Sequence, residues 1–216
     1  MPTNSDVPTN SDRSAPFDGS ASSNEPILLT DRLLLRLGTQ ADVAQIIAYY
    51  QDNRSHLAPF EPERPPEFYT HPFWEAQVEN NWIEFHQDRS LRLLICKRTH
   101  PEQMIGSVNL GAIIRGAFQS CFLGYNLAEQ EQGQGYMQEA VQAAIDHAFQ
   151  QLNLHRIGAN YMPHNQRSAK LLKKLGFVVE GYARDYLLIQ GCWQDHILTS
   201  LLNPQWQPHP SFSSTD

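Results

Sequence analysis

The sequence predicts an α/β domain in which a mixed sheet is covered by helices. Strand-like and helix-like segments alternate along the chain instead of falling into separate blocks. One segment, Met137–Leu152, carries apolar residues at helical spacing throughout (Met137, Ala140, Val141, Ala144, Ile145, Ala148, Phe149, Leu152), which makes it a helix with one buried face. The 216 residues are 41% hydrophobic and 18% charged, enough for one core of ordinary size.

The chain opens on a tandem repeat, Pro2–Asp6 followed by Pro8–Asp12, in a stretch of Ser, Asn, Asp and Pro with little to bury. Residues 1–25 are therefore expected to be a disordered tail, 26–206 the domain, and 207–216 a flexible C-terminal tail. Ile27–Leu37 reads as a first strand. Thr39 and Asp42 form a capping-box pattern, with Asp in place of the usual Glu, ahead of the helical stripe Val43, Ile46, Ile47 and Tyr50. Pro59–Pro66 breaks structure, and Trp74, Val78, Trp82 and Phe85 mark another helix. Leu91–Lys97, Met104–Leu110 and Gln119–Leu127 follow as three strands. After the long helix come a strand at Arg156–Tyr161 and a short helix at Ser168–Leu175 with Gly176 as its C′ glycine. Tyr186–Ile189 and His196–Leu202 close the domain as a strand pair.

Composition excludes several function classes. A net charge of −7 argues against direct nucleic-acid binding, which needs a basic surface to displace counterions, and suits a cationic acceptor. Nine histidines and three cysteines (Cys96, Cys121, Cys192) show none of the spacings of a metal site, so no metal is expected and the thiols read as free. No apolar run is long enough to span a bilayer and no signal-peptide pattern opens the chain, which leaves a cytoplasmic protein as the expectation.

The chemistry sits ahead of the long helix, in Gln130-x-x-Gly133-x-Gly135. Two glycines let the backbone turn tightly and bring successive N–H groups toward one point. The helix start adds unpaired N–H groups and the positive end of its dipole, so an anion, preferably a pyrophosphate, belongs there. A dinucleotide fingerprint would need a third glycine where Gln138 stands, and a Walker loop would need Gly-Lys-Ser/Thr.

That loop resembles the acetyl-CoA signature of the GNAT superfamily of N-acetyltransferases. Asn165 to Phe177, with Ser168, Leu171, Lys174 and Gly176 in place, resembles its second signature, N-x-x-S/A-x-x-L-x-x-K-x-G-F. Within the superfamily the chain is similar to the Rim group, which acetylates ribosomal-protein N-termini, and above all to its alanine-directed RimJ-type branch. The segments that carry this are Asn53–Pro62, Arg115–Gly116, Leu123–Tyr125, His155–Asn165 and Glu180–His196, and the likeness runs from about Pro26 to Trp206.

The resemblance implies a central mixed, mostly antiparallel sheet flanked by helices, whose fourth and fifth strands (Cys121–Leu127 and Arg156–Tyr161) splay apart. The pantetheine arm of acetyl-CoA would pair with main-chain groups of Tyr125, Asn126 and Leu127. Its pyrophosphate would lie on Gln132, Gly133, Gln134, Gly135, Tyr136 and Met137, with Asn165 on the arm and Lys174 toward the ribose phosphate. Many relatives place a tyrosine as acid where this chain has Leu172, so the resemblance moves the acid to Ser168. Candidate bases are Glu61 and Asp185 or Asp195, and Phe60, Tyr161, Tyr182, Tyr186 and Trp193 are candidates for a peptide groove. The implied activity is acetylation of a ribosomal protein's N-terminal α-amine, with alanine first, on the free protein or a ribosomal particle. A small amine or antibiotic as acceptor, or a ribosome-assembly factor on the same fold, are the competing readings.

Overall fold

The computed structural model describes residues 26–208; the expected N-terminal tail and most of the C-terminal one lie outside them. Eight strands form one sheet: β1 (Leu28–Leu29), β2 (Leu33–Leu37), β3 (Leu91–Lys97), β4 (His100–Ile114), β5 (Ser120–Leu127), β6 (Arg156–Tyr161), β7 (Val178–Ile189) and β8 (Cys192–Leu202). Their order is β1-β2-β3-β4-β5-β6-β8-β7. Every neighbouring pair is antiparallel except β5 and β6.

Alternation along the strands sorts two apolar layers. Leu91, Leu93 and Ile95 of β3 face a core shared with the helix α4 (Tyr136–Gln150), whose Ala140, Val141, Ala144, Ile145 and Ala148 form its buried stripe. Leu94, on the opposite face, packs with α1 (Val43–Asp52) and α3 (His71–His86), whose Tyr50 and Trp74 form an aromatic cluster with Phe68 of the turn Pro66–Tyr69. A four-residue helix, α2 (Arg54–Leu57), follows α1, and α5 (Gln166–Lys174) follows β6.

The capping pattern forms as read: the Asp42 carboxylate accepts the Thr39 N–H at 2.7 Å and its hydroxyl at 2.8 Å. It also takes both arms of Arg36, at 2.6 and 2.7 Å, which satisfies a carboxylate only 4% exposed. Burial alone would raise the Asp42 pKa; the Arg36 hydrogen bond and those from Thr39 outweigh it and hold the pKa below the usual value.

The structure departs from the sequence expectation in three places. The expected strand Ile27–Leu37 is a hairpin, broken where Thr30 and Arg32 turn to the Glu139 carboxylate of α4. The strand expected at Met104–Leu110 runs from His100 to Ile114. The closing pair is longer, because β7 begins at Val178 and joins β8 through a two-residue turn, Gln190–Gly191. In contrast, Leu91–Lys97 and Arg156–Tyr161 form strands with the expected bounds, and Gly176 ends α5 at φ +87°.

Candidate active site

The site grows out of the one parallel pair. β5 and β6 share only three register positions, Ser120–Arg156, Cys121–Ile157 and Phe122–Gly158, and then separate. Beyond Phe122 the β6-facing edge of β5 has no neighbouring strand, which opens a wedge in the sheet. The Ala128 N–H bonds to the Ile105 carbonyl of β4 at 2.8 Å. By alternation Asn126 also turns its main chain to β4, while Tyr125 and Leu127 present theirs to the wedge. Of the three residues expected to hold an extended ligand by main-chain groups, two are thus placed to do so.

At the wide end lies the glycine loop. Gly133 and Gly135 have φ of +77° and +82°, a conformation that residues with a Cβ rarely adopt. Nothing lies within 4 Å of a Cβ built on Gly133, so the backbone is open to a ligand. Gly135 caps α4, and the first helical bond runs from Glu139 N–H to Gly135 O at 3.2 Å, which leaves the N–H groups of Tyr136, Met137 and Gln138 ahead of it. Arg32 braces the loop: it pairs with Glu139 at 2.6 Å, donates to the Gln134 carbonyl at 2.9 Å and lies 4.5 Å from the Tyr136 ring centroid. Gln132 extends sideways, accepting from Arg167 of α5 and meeting the His56 ring of α2 at 2.7 Å. These features fit an anionic group such as a pyrophosphate. Lys174 is exposed at the end of α5.

Inside the wedge the Tyr125 hydroxyl and Ser168 Oγ are 2.6 Å apart. Burial pushes the Tyr125 phenol up to about 12, against the opposing pull of the Ser168 hydrogen bond. Ser168 is held in place because its N–H caps onto Asn165 Oδ1 at 3.1 Å, opening α5. Leu172, one turn on, is 1% exposed and part of the core.

A second polar group faces the same cleft, a cavity of about 400 Å³ lined by Glu61, Arg64, Tyr125, Asn126, Asn165 and Ser168 among others. Asn126 is its hub. Its Oδ1 accepts from the Tyr49 hydroxyl at 2.9 Å and from Ser107 Oγ at 3.0 Å, which turns Nδ2 toward Glu61 Oε1 at 2.8 Å. Glu61 Oε2 pairs with Arg64 at 3.0 Å. Of the candidate bases, only Glu61 lines the cleft. Asp185 is exposed on an irregular stretch of β7, and Asp195 is engaged by the Tyr182 hydroxyl and the Asp185 N–H. Of the candidate groove aromatics, Phe60 and Tyr161 line the cleft; Tyr186 bonds Asn160, and Tyr182 and Trp193 lie exposed on the closing hairpin. Sequence reasoning missed Tyr49, Ser107 and Arg64. Only Arg64, three residues after Glu61, left a local signal.

Residues 32–178 match the acetyltransferase (GNAT) domain. The chain belongs to the GNAT family of acetyltransferases. It is 43% identical, over 84% of its length and 93% of the relative's, to the [ribosomal protein uS5]-alanine N-acetyltransferase of Escherichia coli (strain K12). Its fold matches the ribosomal-protein-S5-alanine acetyltransferase of Vibrio fischeri with a TM-score of 0.81 at 38% identity, over 85% of this chain and 100% of that one. It also matches the Mycobacterium smegmatis RimJ in complex with CoA-disulfide (TM-score 0.75, 26% identity, 82% of this chain and 86% of that one). This GNAT chain is an acetyl-CoA-dependent N-acetyltransferase, and the sheet wedge with its glycine loop is the family's fold. Among the described residues no helix is long and apolar enough to cross a membrane, and no cluster of His, Cys, Asp or Glu could hold a metal ion.

Proposed function

We propose that this enzyme transfers the acetyl group of acetyl-CoA to the N-terminal α-amine of a ribosomal protein that begins with alanine, in the cytoplasm, on the free protein or a ribosomal particle. The observation that carries the reading is one cleft holding a carboxylate, Glu61, and a hydroxyl pair, Tyr125–Ser168. The likeness to two alanine-directed ribosomal-protein acetyltransferases, close to full length, supports the acceptor.

The reaction asks little of a base. An α-amine titrates near 8, so roughly a tenth of it is neutral at pH 7. Glu61 attracts the ammonium form and accepts its proton, directly or through water. The amine nitrogen then attacks the thioester carbonyl and the carbon–sulfur bond breaks; the leaving thiolate takes a proton from Ser168, Ser168 takes one from Tyr125, and the proton shed by the attacking nitrogen returns to Tyr125 through water. The loop from Gln132 to Met137 and the wedge-facing main chain of Tyr125 and Leu127 fix the donor, and Asn165 sets Ser168. Orientation contributes more than acid or base strength.

Mass spectrometry of ribosomal proteins from cells lacking the gene tests the assignment. One protein starting with alanine should lose an acetyl group, and the purified enzyme should restore it. Unchanged acetylation of every ribosomal protein would direct the search to a small amine or antibiotic.

A further inference from the structure

The cleft does not end at Glu61. It continues over the sheet face that carries α1 and α3, along a cross-strand row that the register defines: Arg92 of β3 opposite Asn109 of β4, and Asn109 opposite Gly124 of β5. The neighbouring row, Leu94–Ser107–Asn126, is covered; this one is not. Gly124 is exposed although it lies in the fifth of eight strands, and nothing lies within 4 Å of a Cβ built there. Its φ lies outside the left-handed range, so the backbone does not require glycine. A glycine that the chain conformation does not demand, in mid-sheet under open space, marks a place where another backbone comes close.

The walls of this channel suit a peptide. Asn109 has no hydrogen-bond partner for its side chain among the described residues, and Arg92 is 43% exposed, with Glu84 no nearer than 3.7 Å. Both offer N–H donors at the channel floor. Gln77 and Asn81 of α3 line it from above, and Tyr50 and Trp74 supply apolar surface. Donors along an open floor recognise main-chain carbonyl oxygens, whatever the side chains.

We propose that Gly124 is the opening through which the acceptor chain passes: the residues after the reactive amine cross the Gly124–Asn109–Arg92 row in extended form, their carbonyls accepting from Asn109 and Arg92. The proposal rests on the reading that the Glu61 and Tyr125–Ser168 corner hosts the reaction. It assigns the acceptor class as an unstructured peptide N-terminus rather than a small amine, because a small amine would not reach this row.

Gly124→Val tests it, since a β-branched residue suits a strand and its Cβ meets no neighbour. The variant should keep its melting temperature within about 2 °C of the parent, or exceed it. Its acetyl-CoA affinity by calorimetry should stay within about threefold, while kcat/KM for an alanine-starting octapeptide falls about 30-fold or more, because a side chain there occupies the acceptor's space. Asn109→Leu should lower the same kcat/KM about 3- to 10-fold. Should Gly124→Val fail to fold, Gly124→Ala, which adds one methyl to open space, should still lose about threefold. A folded Gly124→Val that binds acetyl-CoA and acetylates the octapeptide like the parent overturns the proposal. Glu61→Gln run alongside separates the two readings. If it retains full activity, the reaction corner is misplaced; if it is crippled while Gly124→Val is not, only the channel falls.

Discussion

Tyr125 and Ser168 meet at 2.6 Å across the wedge between β5 and β6, one reaching from the strand and the other from the first turn of α5. In the proposed reaction the pair supplies what Leu172 cannot, a donor for the leaving sulfur backed by a second donor. Ser168→Ala should lower kcat about 10- to 100-fold with acetyl-CoA affinity nearly unchanged, and Tyr125→Phe should cost less, about 3- to 10-fold. Because burial places the Tyr125 phenol at about 12, its ionisation should leave no fall in activity between roughly pH 8 and 10. Steady-state kinetics across that range, with calorimetry for affinity, would check all three.

Glu61→Gln keeps the oxygen that Asn126 donates to and removes the charge. At pH 7 kcat/KM should fall about 100-fold, since a positioned base contributes on that scale. The deficit should shrink above about pH 8, where the acceptor amine is already neutral. A deficit constant with pH would point to lost shape rather than a lost base.

Gly135→Glu combines two penalties, a Cβ at φ +82° and a negative charge where an anion should bind. Affinity for acetyl-CoA should fall by more than about 100-fold while the circular dichroism spectrum stays that of the parent. Titration calorimetry decides the matter: unaltered binding would remove the donor from this loop.

His147, in the last turn of α4, has a buried Nε2 with no hydrogen-bond partner among the described residues, and burial holds its pKa below the usual 6.5. Protonation therefore favours the unfolded chain. The contribution to stability is complete above 6.5 and is lost as the pH falls through the folded-state value. His147→Leu should add about 0.5–1 kcal/mol at neutral pH and flatten the decline on the acid side, read by urea unfolding at several pH values.

The donor half of the site was legible in the sequence because its signals are local. Gly133, Gly135 and the start of α4 fall within four residues, and Asn165 caps Ser168 only three residues on; the glycines take positive φ and the cap forms. The other half was legible only in single candidates, Phe60, Glu61 and Tyr161, and not in the group that surrounds them. Tyr49, Glu61, Ser107 and Asn126 come from a helix, a proline-rich turn and two strands, and only the fold brings them to one carboxylate. The same limit explains the first strand. Its apolar runs, Ile27–Leu29 and Leu33–Leu35, flank the polar triplet Thr30–Arg32, whose contacts with Glu139, more than a hundred positions away, bend the chain into a hairpin. β7 ran longer than expected because Val178, Val179 and Gly181–Ala183 also pair with β8, and Asp185 falls in the register shift that follows, exposed and away from the cleft.

The parallel pairing of β5 with β6 has a geometric consequence. Two adjacent parallel strands cannot be joined by a tight turn; the chain must leave the far end of the first and travel back alongside the sheet before starting the second. Here α4 makes that return journey, so its starting turn is obliged to sit at the end of β5 where the strands have diverged. One decision about strand direction thus sets the mouth of the wedge and the glycine loop side by side.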